Sequence, residues 1–296
     1  MSVISVNKLS KSYGKTKVLH DICLEVRENE IFGVIGPDGA GKSTLFQILT
    51  TLLLADSGEG EILGLDLVKD YAKIRTQIGY MPGNFSLYMD LNVYENLDFF
   101  ARLFNTSIEA EYELIKPIYK ALEPFKNRRA KALSGGMKQK LALCCALIHK
   151  PLLLFLDEPT TGVDAVSRKE FWDILNELKS KMSIVVSTPY MDEASLCDRI
   201  ALIFEGRFLS VNSPQKLCQS FTHTLYEFKN ISVYALEELR KLEFIYSCFL
   251  FANSYHIVFK EGFDIKTAID SNAHLKNATY RVIEASVEDC FMEFLR

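Results

Sequence analysis

"GPDGAGKST", residues 36–44, is the stretch that decides the fold. It satisfies the spacing G-x-x-x-x-G-K-[ST]. Gly36, Gly39 and Gly41 let the backbone curl so that successive N–H groups point inward at phosphate oxygens. Lys42 brings a positive charge to the β and γ phosphates, and the Ser43 hydroxyl can ligate Mg²⁺. A helix starting near Lys42 aims its positive dipole end at the same anion. The apolar run EIFGVIG (30–36) leads in as a strand, and KSTLFQILTTLL follows as a helix by length and periodicity. That strand–helix setting disfavours the bland alternative, a glycine-rich turn that happens to precede a helix.

"LLLFLDEP" (152–159) is the natural partner of the loop. A continuous apolar run marks a strand covered on both faces. It carries Asp157 to its C-terminal edge, where parallel α/β sheets place ligands. Asp157 is expected to hold Mg²⁺ through its water shell, and Glu158 to polarise an attacking water. An acidic cap on a strand would explain the pair alone, but less well beside a phosphate loop. "LSGGMKQK" (133–140) is the third piece. Ser134, Gly135 and Gly136 open a helix whose exposed N–H groups make a second anion-binding end. An ordinary serine cap explains Ser134 but not two glycines that weaken the helix.

The 296 residues leave room for one large domain and a small one. Apolar residues make up 48% and charged ones 24%, which places the chain among soluble globular proteins. No uncharged stretch is long enough to span a bilayer. The opening MSVISVNKLSKSYG lacks a secretory pattern. A net charge of −4 without a basic block argues against nucleic acid as the main partner. Seven cysteines show no C-x-x-C spacing and read as reduced thiols of a cytosolic protein, several of them in the core.

Strands are expected at 3–9, 18–26, 30–36, 78–81, 152–156, 184–188 and in RIALIF and RFLSV. Helices are expected mainly over 91–122 and at 134–150, 165–180 and 191–197. In the second of these, Met137, Leu141, Cys144 and Ile148 fall on one face, and Pro151 ends the helix. Alternation of this kind predicts a largely parallel α/β sheet. From about His223 the texture changes. Strands at 224–229, 244–251, 254–259 and 279–284, with helices at 233–242 and 263–271, give a β-α-β-β-α-β order, a split βαβ module. A last helix begins near Ser286. His223, His256 and His274 are scattered singly and read as surface or satisfied side chains.

With GPDGAGKST, LSGGM, LLLFLDEP and TGVD in this order and spacing, residues 1 to about 215 resemble the nucleotide-binding subunit of ATP-binding cassette (ABC) transporters. The resemblance implies a P-loop NTPase core with an antiparallel β subdomain and a helical subdomain at about 84–150, over residues 1–220. A small α+β, ferredoxin-like domain is expected at 221–296, with a dimerisation or regulatory role. It implies ATP and Mg²⁺ as ligands. The nucleotide set is then Tyr13, stacking on adenine, with Gly36, Pro37, Asp38, Gly39, Ala40, Gly41, Lys42, Ser43 and Thr44, and with Ser134, Gly135 and Gly136 capping a partner's nucleotide. Ser43 and Asp157 are the implied metal ligands, Asp157 and Glu158 the implied catalytic pair. Asp164 matches the loop that crosses the dimer interface. YMPGNFSLYMDLNVYENLDFFA (80–101), STPYMDEA and ASVEDCFMEFL resemble the exporter-type cassettes of the ABC-2 class, which pair with a separate membrane permease on the cytoplasmic face.

Two positions depart from the family pattern. Pro189 stands where most active cassettes have a histidine that contacts the γ-phosphate, and Gly83 where most have a glutamine that helps ligate Mg²⁺. Proline has no N–H and no ionisable side chain. Asn84 is the neighbouring candidate to replace the amide. The expectation is a site that binds ATP and hydrolyses it slowly, in a heterodimer with an ordinary cassette; a homodimer would have both sites impaired. A non-hydrolysing, ATP-sensing regulatory subunit is the second reading. A soluble cassette of translation or DNA repair is the third, without the tandem cassette, coiled coil or zinc module such proteins carry.

Overall fold

The computed structural model describes residues 2–84 and 87–296. Phe85 and Ser86, inside the stretch 80–101 and the expected helical subdomain, lie outside the described residues, as does Met1. The chain forms two compact units, Met1–Pro214 and Gln215–Arg296. The expected boundary at 220/221 lies just past a short helix, Pro214–Gln219, whose Leu217 carbonyl accepts from the Cys290 thiol of the second unit.

The first unit runs β1 (Ser2–Tyr13), β2 (Thr16–Arg27), β3 (Ile31–Ile35), α1 (Lys42–Leu49), β4 (Ser57–Ile62), β5 (Leu65–Asp66), α2 (Tyr71–Gln77) and β6 (Ile78–Met81). It continues with α3 (Val93–Leu103), α4 (Ile108–Tyr119), α5 (Gly135–Leu147), β7 (Leu153–Asp157), α6 (Ala165–Leu178), β8 (Ser183–Thr188), β9 (Arg199–Phe204) and β10 (Arg207–Asn212). The expected helix at 191–197 is a 3₁₀ segment, Met191–Leu196.

The main sheet has the order β10-β9-β3-β8-β7-β6. Its pairings are parallel except for β10, an antiparallel edge. Every residue of β3, β7 and β8 is buried, which is why their sequences are continuous apolar runs rather than alternating ones. The register sets Ile35 beside Thr188 and Asp157 beside Ser187. Three strands therefore deliver their last residues to one edge. A second, antiparallel sheet has the order β2-β1-β4-β5. Both sheets share one core through α1, where Phe46 meets Phe155 edge to face at 5.8 Å.

Two readings of the sequence need correction. No strand or helix was expected over 54–77, yet β4, β5 and α2 occupy much of it, while the helix expected over 42–53 ends at Leu49. Glycine-rich SGEGEI reads poorly as a strand, but a Cβ at Gly60 would lie 2.6 Å from Val6 and Leu67 carbons. Close packing on β1 selects the glycine that hides the strand. The second correction concerns α5. From Leu141 to Ile148 it is buried all round, not on one face, because it packs against α3, α4, α6 and β6.

The second unit contains α7 (Pro214–Gln219), β11 (Leu225–Lys229), α8 (Leu236–Arg240), β12 (Ile245–Phe251), β13 (Ser254–Phe259), α9 (Ile265–Ser271), β14 (Thr279–Ile283) and α10 (Val287–Phe294). Its sheet order is β12-β13-β11-β14, antiparallel throughout, the arrangement of a split βαβ module. Its histidines have partners: His256 with Asp289 at 2.6 Å and His274 with Glu238 at 2.7 Å.

The turn between β9 and β10 ties the two sheets of the first unit together, since His20 N donates to Gly206 O at 2.9 Å. Gly206 has φ +71, and a Cβ there would lie 2.0 Å from the Val18 carbonyl oxygen. Gly206→Ala is expected to destabilise the first unit by about 2 kcal/mol or more. Urea denaturation followed by fluorescence checks this, because the chain's single tryptophan, Trp172, lies in that unit.

Candidate functional site

Position 36 must be glycine for the loop to leave β3 as it does: a Cβ would lie 2.1 Å from the Ile203 carbonyl oxygen of β9. Gly36 N donates to Thr188 O, Ala40 N to Pro37 O, and Gly206 N to Ala40 O, so the loop is pinned from both sides. Gly41, at φ +102, is the residue before α1, and Lys42 is its first residue. The Lys42 ammonium is buried, with 3% of the side chain exposed. It donates to Gly36 O at 2.9 Å and Pro37 O at 3.0 Å. The Glu158 carboxylate lies 3.1 Å away and the exposed Asp38 carboxylate 3.8 Å.

Asp157, buried at the end of β7, takes a hydrogen bond from the Ser187 hydroxyl at 2.5 Å. Burial pushes its carboxyl above the ordinary range, while the Ser187 and Ser43 hydroxyls pull it back. Ser43, named with Asp157 from sequence, is near enough to influence that carboxyl. Glu158 follows at φ 51, in the left-handed region that costs a non-glycine residue about 1–2 kcal/mol. Its N–H is held by both the carbonyl and the hydroxyl of Ser187.

An open cleft of about 260 Å³ is lined by Tyr13, Val18, Gly39, Gly41, Lys42, Ser43, Thr44 and Glu158. Tyr13, half exposed, ends β1 at this cleft. Its lining does not include Ser134, Gly135 or Gly136. Those residues sit at the start of α5, where Ser134 caps the helix by accepting from Met137 N at 3.3 Å. Ser134 and Gly135 are exposed. A Cβ at Gly136 would lie 2.9 Å from the Ser167 hydroxyl, so that glycine also serves the packing of α5 on α6. Asp164 caps α6, accepting from Val166 N and Ser167 N. These bonds hold its carboxyl below the usual range.

Hydroxyl and carboxylate oxygens are the donor set Mg²⁺ prefers, with the remaining positions left to phosphate and water. The pair Ser43–Asp157 fits that chemistry. Among the described residues no group of three or more His, Cys, Asp or Glu side chains converges as a self-sufficient metal cage.

Two residues at this edge were not singled out from sequence. Ser187 was quoted without a role. Glu193, 1% exposed, accepts from Thr160 Oγ1 at 2.7 Å and from Thr188 Oγ1 at 2.6 Å. Arg168 approaches it to 3.8 Å. The signal for Ser187 was a polar residue where an apolar strand ends, which identifies a position but not a partner; Glu193, in the 3₁₀ segment beyond β8, had no such signal.

Residues 19–161 match the family model described as ABC transporter. Over 219 residues the chain is 40% identical to the probable multidrug ABC transporter ATP-binding protein YbhF of Escherichia coli, covering 73% of this chain but only 38% of that protein. Over 220 residues it is 33% identical to the linearmycin resistance ATP-binding protein LnrL of Bacillus subtilis, covering 73% of this chain and 71% of that one. The chain belongs to the ABC transporter family. As an ABC cassette it also matches a solved dimeric cassette in a post-hydrolysis state bound to ADP and Pi, with a TM-score of 0.65 and 25% identity over 71% of this chain and 98% of that one. Among the described residues of the cassette, no helix is long and apolar enough to cross a membrane.

The Glu193 bridge ties Thr188, at the end of β8, to Thr160, in the loop after β7. Glu193→Ala removes the acceptor for two buried hydroxyls and is expected to cost about 3 kcal/mol, with Glu193→Gln costing less. Trp172 fluorescence in a urea titration measures both.

Proposed function

We propose that this chain is the ATP-binding, energy-coupling subunit of an ABC exporter, acting on a separate ABC-2-type membrane permease from the cytoplasmic face. The observation that carries this reading is the convergence of Tyr13, the phosphate loop, Lys42, Ser43 and Glu158 on one cleft, with Asp157 next to Glu158 at the end of β7. The triphosphate lies against the loop amides and Lys42, with adenine on Tyr13. Ser43 and Asp157 would hold Mg²⁺, which would neutralise phosphate charge. Glu158 orients the attacking water, exchanging its contact with Lys42 for that role as the phosphates take up the ammonium. Ser134 and Gly135, exposed and away from this cleft, cap the nucleotide of a second cassette, so two cassettes close head to tail. The names of the relatives, a probable multidrug transporter and a linearmycin resistance protein, support export. Residues 221–296 are assigned a dimerisation or regulatory part.

Hydrolysis at this chain's own site is slow. Pro189 offers nothing to the γ-phosphate. A Cβ built at Gly83 would lie 3.2 Å from the Asp157 carbonyl oxygen and 3.8 Å from Asp157 Oδ2, so this position faces the metal ligand yet has no side chain to use. Asn84, exposed beside it, is the only neighbouring amide in that segment's described part. Preorganised polar contacts of this kind are worth about 10²–10³ in rate each and need not add. The partner is therefore a second, ordinary cassette, in a heterodimer.

Purified chain is expected to bind MgATP by calorimetry, and Lys42→Glu to abolish binding. Single-turnover hydrolysis should be slow, lost in Glu158→Gln, and raised about 10²-fold or more in the double variant Gly83→Gln, Pro189→His. Fast turnover by the unsubstituted chain, indifferent to Glu158→Gln, would refute the scheme. No single-turnover hydrolysis by either the chain or the double variant would instead favour an ATP-sensing regulatory subunit.

A further inference from the structure

We infer that Ser187 is a positioning residue of the nucleotide site: its hydroxyl fixes one oxygen of Asp157, so that the other faces the metal position, and braces the backbone of Glu158. This inference rests on the proposed ATP site. Ser187 is completely buried, in a strand whose preceding residues, Ile184, Val185 and Val186, are apolar. A hydroxyl has one proton to give and lone pairs to receive. Here the proton goes to Asp157 Oδ1, and a lone pair receives the Glu158 N–H at 3.1 Å. Asp157 Oδ2 is left on the side of Gly83, the segment that follows β6.

A carboxylate turns easily about its last torsion, which is broad and two-fold. A single directional bond to one oxygen removes that freedom before any ligand arrives. The brace on Glu158 acts where the chain is strained, at φ 51, and so holds the side chain on the cleft side of β7. Thr188, next in the strand, cannot substitute because its hydroxyl is spent on Glu193. One side chain thus sets the geometry of two carboxylates with different tasks.

The test compares calorimetric titrations of the full chain with ATP in excess Mg²⁺ and in EDTA, for the unsubstituted chain and for Ser187→Ala, Ser187→Cys and Ser187→Thr. Cysteine keeps the volume but is a weak donor, so it guards against a packing effect in alanine. The gain in affinity on adding Mg²⁺ is expected to fall about tenfold in the alanine and cysteine variants, the loss of one hydrogen bond to a charged group. Binding in EDTA should be unchanged, and threonine should restore the gain. An unchanged Mg²⁺ gain in alanine and cysteine would overturn the assignment while leaving the ATP site intact. An equal loss in Mg²⁺ and in EDTA would also overturn it, in favour of a purely structural serine. No binding by the unsubstituted chain would overturn the ATP site itself, and this inference with it.

Discussion

A buried ammonium group is the constraint on which the rest of the first unit depends. An unpaired charge taken out of water costs several kcal/mol, so the Lys42 side chain must be surrounded by oxygen. The loop supplies two carbonyls, from Gly36 and Pro37, and the residue directly after β7, Glu158, supplies a carboxylate. Both contacts require a backbone that doubles back on itself between β3 and α1. Gly39 and Gly41 allow this with φ +79 and +102, and Gly36 allows β9 to approach. The position of β3, with β9 on one side and β8 on the other, follows from the same need: neighbouring strand ends must be near enough to hold the loop and to bring Glu158 to Lys42.

β7 and β8 are apolar through their middles and turn polar at their C-terminal ends. Asp157, Ser187 and Thr188 are all buried at that edge; Ser187 donates to Asp157, and Thr188 donates to Glu193. Two networks meet on β8. One runs Asp157–Ser187–Glu158–Lys42 along the cleft. The other runs Thr188–Glu193–Thr160 and opens toward the loop that ends in Asp164, the cap of α6. A shift at the end of β8 is therefore felt both at the phosphates and at the segment assigned to the dimer interface. Pro189 follows Thr188 directly, and its ring can neither donate a proton nor take one up.

Much of this was legible in the sequence because it is local. The phosphate loop occupies nine consecutive residues, Gly36–Thr44, and its residue types have no other economical explanation. The helix caps Ser134 and Asp164 act within three residues of themselves. β3, β7 and β8 announce burial on both faces by being apolar without interruption. The split βαβ order of the second unit was readable because each strand and helix there keeps its own period. β4 was not readable, since its glycines answer to β1 rather than to strand propensity. Nor was the all-round burial of α5, because amphipathic spacing describes one helix face and says nothing of neighbours on the others.

By itself, the sequence determined that this chain carries a phosphate-binding turn between a buried strand and a helix, and an acidic pair at the end of a second buried strand. Those features are set by short-range sterics and by solvation. Only the tertiary structure decided which polar end meets which. Ser187 and Asp157 are 30 residues apart, and Thr160 and Glu193 are 33 apart. Strand order and register bring them together, and neither is encoded by local spacing. The same holds for the separation of Ser134 from the cleft: the fold places the start of α5 away from the residues that line it.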